Sequence, residues 1–249
     1  MTRLVRAELL KLATTRDLWW TLAATLPLSA ALVAVTITSP SGPGGAPLGT
    51  GAGVRSVMAA ASTGSLMLLL LGIAAMAGEF RHGTAVSTFL ACPDRRRLFL
   101  AKLGATVLAG LAVGLAAAVV TLAVGLPWLR AEGVDLGAHA GAVAGSLLGS
   151  VAVTALAGAI GVGLGALARN QTTAVALALV WTVAVESVVA GLAPELFRWL
   201  PGGAFAAVTG SRSLGATLAP GAGLMLSLGY AAAFAAAGRA ALVRRDIAA

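Results

Sequence analysis

Few residues in this sequence have the types and spacing that chemistry requires. A phosphate-cradling loop needs Gly-x4-Gly-Lys-Ser/Thr, and the chain contains no Gly-Lys dipeptide, so ATP binding by that route is excluded. Cys-x2-Cys, His-Glu-x2-His and Gly-x-Ser-x-Gly are also missing, and the histidines His82 and His139 are expected on opposite sides of a membrane. The sequence therefore predicts neither an enzyme nor a metal or other cofactor. Cys92 is the only cysteine, which rules out an internal disulfide.

One acidic residue stands apart. Glu186 lies well inside an apolar run, where a charge facing lipid costs about 2.5–3.5 kcal/mol. It is expected to line a transport route or to pair with Arg198 or Arg212. The alternative is that it sits near its helix end and reaches water.

The elements that position these residues follow from composition. With 59% apolar and 10% charged residues, the chain has too little polar surface to clothe a water-soluble globule. The apolar runs recur along the whole length, which predicts one all-α, polytopic membrane domain over residues 1–249. Residues 1–17 carry Arg3, Arg6 and Lys11 on one helical arc and Leu4, Val5, Leu9 and Leu12 on the other, with Glu8 as an exception, so an amphipathic interfacial helix is expected.

Six spans are expected, at about 18–38, 57–78, 103–126, 138–168, 172–192 and 220–243, each near or above the ~20 residues that cross hydrocarbon. The first is too long for the ~7–15 residue core of a signal peptide and has no clear Ala-x-Ala site, so it is read as retained. Residues 39–53 form a Pro- and Gly-rich loop. Residues 79–102 form a polar loop with a short helix at 85–91, and Pro127 closes the third span. The fourth is longer than a bilayer requires, which tilt, an irregular turn near Gly158, Gly161, Gly163 and Gly165, or projection from the surface would absorb. Residues 193–219, with Pro194 and Pro201, predict a broken, re-entrant or interfacial helical hairpin.

Charge sets the orientation. Of the seventeen basic residues only Arg55, Arg130, Arg198 and Arg212 fall on one side, so both termini and Cys92 are expected in the cytoplasm. This clustering between spans suits membrane orientation and anionic lipid, and gives no nucleic-acid face. Arginine's excess over lysine, of which Lys11 and Lys102 are the only examples, fits a GC-rich bacterial genome, and a multi-pass protein of a bacterial inner membrane is expected. The Gly-x3-Gly spacings at 110/114, 141/145/149 and 161/165 are expected to serve helix packing.

Two stretches carry a family resemblance. Glu79-Phe80-Arg81-His82-Gly83-Thr84, followed by Phe89-Leu90-Ala91 and Pro93-Asp94-Arg95-Arg96-Arg97, resembles the cytoplasmic loop of ABC type-2 transporter permeases. The segment from Glu8 through Lys11 to Arg16, ahead of a Trp-containing first span, is similar to the start of such permeases. The resemblance implies a half-transporter without its own ATPase. Two permeases, identical or related, pair with two copies of a cytoplasmic ABC ATPase subunit, and substrate passes along the interface between the permeases. It also implies that Glu79, Phe80, Arg81, His82, Gly83, Thr84, Phe89 and Leu90 couple to the ATPase, and that Glu8, Lys11 and Arg16 on the interfacial helix contact it. A small importer component and a non-transporting membrane scaffold or regulatory subunit are the alternatives, because six spans alone do not fix function.

Overall fold

Long runs of Ala, Leu, Val and Gly favour helix once backbone amides must find partners without water. The computed structural model describes residues 1–39, 46–81, 83–84, 90, 94–211 and 218–244, and no strand occurs among them. The protein is all-helical, and among the described residues six helices are long and apolar enough to cross a membrane.

Helix α1 (Thr2–Thr14) meets α2 (Asp17–Thr38) at a corner where Arg16 adopts a left-handed backbone with φ 62°. Helix α3 (Gly51–Arg81) contains a 3₁₀ segment at Ala59–Thr63, and α4 (Arg95–Ala131) and α5 (Ala140–Ala168) follow. Helix α6 (Gln171–Leu192) includes a π-helical segment at Val180–Val185. Two short helices, α7 (Pro194–Phe197) and α8 (Pro201–Thr209), precede α9 (Pro220–Arg244). The broken hairpin between the last two spans is thus present over its described part.

Several boundaries differ from the expected ones. Helix α3 starts at Gly51 instead of Val57, capped by the Thr50 hydroxyl accepting from the Gly53 N–H at 3.1 Å. Helix α4 starts at Arg95, so the arginine triplet and Lys102 are helical and do not belong to a loop. The Asp94 carboxylate caps its first turn, accepting from Arg96 N and Arg97 N. Pro127 lies inside α4 and does not end it. The fourth span is one uninterrupted helix of 29 residues, about 44 Å at 1.5 Å per residue, so no irregular turn forms at its glycines. The short helix expected at 85–91 falls almost wholly outside the described residues, as do Pro40, Cys92 and Arg245.

Helices α3 and α5 are the most buried of the six spans, and α6 and α9 the least. Glycines allow that central contact. A Cβ on Gly72 would overlap the Gly158 carbonyl, and one on Gly161 would overlap the Leu69 carbonyl, so the two backbones touch directly. Gly110 and Gly114 let α4 approach Ala155 and Val151 of α5, and Gly163 does the same for Phe234 of α9. By contrast, Gly141 and Gly145 face open space. Gly161→Val is therefore expected to separate α3 from α5, costing about 1–3 kcal/mol or more from overpacking. Gly145→Ala should be neutral or slightly stabilising. Thermal melting of the detergent-solubilised protein, read by size exclusion, checks both.

Candidate functional site

The end of the molecule where α1, the C-terminus of α3 and the N-terminus of α4 converge holds a buried ion network. Lys102, 1% exposed, lies two turns inside α4. Its ammonium donates to Glu8 Oε2 at 2.8 Å, to Glu79 Oε1 at 2.8 Å and to the Ala75 carbonyl at 3.3 Å. Those three acceptors match the three N–H bonds of an ammonium. Glu79, 4% exposed, also accepts from Lys11 Nζ at 2.5 Å.

Two carboxylates and two ammoniums thus tie three helices together, and both lysines of the chain take part. Such a cluster adds little net stability over apolar packing, but removing one member leaves a buried charge uncompensated. What it fixes is relative position.

The network explains the exception in the amphipathic pattern of α1. Val5, Leu9 and Leu12 pack with Leu68, Leu71 and Ala105, so that face of α1 rests on protein, and Glu8 lies on it because Lys102 is there. Glu8 and Glu79 accordingly spend their charge within the chain, and so does Lys11 in part, instead of offering it outward. Arg16 stands at the α1–α2 corner.

The other candidate coupling residues divide into inner and outer. Phe80 packs against Met76, Phe99 and Leu242, beneath the Arg169 guanidinium 5.5 Å from its ring centroid. Arg81 and Thr84 are exposed, Gly83 turns the chain at φ +67°, and Leu90 is 78% exposed. His82 and Phe89 lie outside the described residues. Arg95 and Arg169 donate to the Leu242 and Ala241 carbonyls, placing cations at the negative end of α9.

Away from this end, α3, α5, α6, α8 and α9 line a half-open cavity of about 770 Å³. Glu186 lines it and is 5% exposed. Its Oε1 accepts from the Trp181 indole N–H at 3.1 Å and from the Gly202 N–H at 3.0 Å. Gly202 is the second residue of α8, whose N-cap Leu200 has no side-chain acceptor, so the Glu186 carboxylate caps that helix from a neighbouring one.

The expected pairing with Arg198 does not form, because Arg198 instead pairs with Glu195 at 2.8 Å. Arg212 lies outside the described residues. A Cβ on Gly202 would meet the Glu186 carboxylate, so a side chain there would make that carboxylate shift. The π-helical segment Val180–Val185 contains Trp181 and ends just before Glu186, and π-turns recur at functional sites.

Lys102, Trp181 and Tyr230, the last a cavity-lining residue whose hydroxyl donates to the Trp199 carbonyl at 2.6 Å, are the residues that sequence reasoning did not single out. Lys102 was legible only as a topogenic charge. Its partners Glu8 and Glu79 lie 94 and 23 residues away, so no local spacing signals the pairing. No protein-family model matches the chain, and no curated protein is significantly similar to it.

Proposed function

We propose that the chain is the membrane-spanning permease subunit of an ATP-driven ABC exporter in a bacterial inner membrane, with both termini in the cytoplasm. It pairs with a second permease, identical or related, and two copies of a separate cytoplasmic ATPase subunit hydrolyse the ATP. The chain is then no enzyme itself.

The observation that carries this reading is the path of α3. Glu79 ties its basic end to α1 and α4, while Ser62, Ser65, Leu66 and Leu69, further along the same helix, line the cavity. From Ser65 to Glu79 the helix runs about 21 Å at 1.5 Å per residue. A nucleotide-driven movement outside the membrane changes a packing inside it only through a stiff element with purchase at both ends. Helix α3 is such an element, and its 3₁₀ segment at Ala59–Thr63 lies next to the cavity, where a short 3₁₀ stretch inside a helix often marks a hinge.

The exposed part of the basic end supplies the seat for the ATPase. Arg81, Thr84 and Leu90 face outward from a platform held rigid beneath by the ion network. Purification from native membranes in mild detergent is expected to bring down a subunit carrying Gly-x4-Gly-Lys-Ser/Thr in equal number to the permease. Recovery of the chain without any nucleotide-binding subunit, under conditions that preserve its own fold, would favour the scaffold reading.

A further inference from the structure

We infer that the cavity beside Glu186 is a binding site for a lipophilic organic cation, a deepening that rests on the export reading for its physiological use but not for the binding itself. At about 770 Å³ the space falls within the ~300–1,000 Å³ of pockets that hold drug-sized molecules. Its wall is mostly apolar, with the rings of Trp181, Phe205, Tyr230 and Phe234. None of the described lining residues is basic.

Glu186 accepts two hydrogen bonds from neutral donors and forms no ion pair with any described residue. In its ionised form a carboxylate so placed has only dipoles to offset its charge, and a bound cation supplies the countercharge. The aromatic rings add the attraction that π-faces have for quaternary and other diffuse cations. An anion meets the opposite situation, with one negative carboxylate and no basic side chain among the described lining residues. An uncharged apolar molecule would fill the space and leave the carboxylate uncompensated. Charge complementarity therefore selects the cation.

The two near-isosteric ions tetraphenylphosphonium and tetraphenylborate separate these cases. Each is titrated calorimetrically into the isolated chain in lipid nanodiscs, with empty nanodiscs subtracted. Tetraphenylphosphonium is expected to bind saturably at one site per chain, and tetraphenylborate to show no saturable binding. Glu186→Gln, which keeps the oxygen that accepts from Trp181 and Gly202, should weaken the cation at least tenfold while melting like the wild type.

Equal binding of both ions, no saturable binding of the cation, or unchanged affinity in Glu186→Gln would overturn the assignment. The ion comparison needs no variant, so it decides even if Glu186→Gln misfolds. Because no ATPase is present, failure here leaves the export reading to its own test.

Discussion

Lys102→Met is expected to be the most damaging single substitution at the basic end, lowering stability by about 3–5 kcal/mol, as removal of one member of a buried ion cluster does. The reason lies in the stoichiometry of the network. Lys102 compensates both Glu8 and Glu79, and its own burial leaves no room for water to replace it. Glu79 would keep Lys11, but Glu8 would lose its ion-pair partner in the network. A loss of that size corresponds to a fall in melting temperature on the order of 10 °C for a chain of this length.

Adding Glu8→Gln to Lys102→Met should restore part of the loss, since it removes the stranded charge. Lys102→Arg should fall between, because a planar guanidinium cannot reproduce three donors diverging from one nitrogen. Melting curves of the four proteins in one detergent test the scheme. A Lys102→Met protein as stable as wild type would mean that the three helices are held together by apolar contact alone.

The second large effect is on Glu186, where two substitutions are expected to part. Glu186→Gln keeps a carbonyl oxygen for the Trp181 and Gly202 donors, so protein level and melting should stay near wild type while transport falls at least tenfold. Glu186→Leu orphans both donors and uncaps α8, which costs about 1–3 kcal/mol for each buried group left unmade. It should lose stability as well as transport. Comparing export with protein level for both variants checks this, and unchanged transport in Glu186→Gln would remove the carboxylate from the route.

Much of the fold was legible because lipid narrows the choices. Where water is absent an uninterrupted apolar run has to be a helix, so six spans follow from hydropathy, and Pro194 and Pro201 mark the broken hairpin. The errors came from reading charge as a boundary. Arg95, Arg96, Arg97 and Lys102 suggested a loop, yet nothing in that run breaks a helix, and a buried partner lets Lys102 sit two turns inside one.

Long-range pairing was harder to read. Glu8 announced itself as the residue that spoiled the stripe of α1, but its partner lies 94 residues away and no local pattern points there. The π-helical segment in α6 likewise follows no breaker in the sequence. It contains Trp181 and ends just before Glu186, whose carboxylate accepts from the Gly202 N–H 16 residues further on.

The central claim, that the basic end seats an ATPase and α3 carries its motion to the cavity, is met most directly by ATP hydrolysis in the complex isolated through a tag on this chain. The account predicts vanadate-sensitive hydrolysis in the wild-type eluate. It also predicts loss of that activity, with the permease still recovered and folded, when the exposed Arg81 and Leu90 are changed together to Glu and Asp. An eluate of intact permease with no hydrolysis above that of an untagged control, or hydrolysis indifferent to the double substitution, would contradict it.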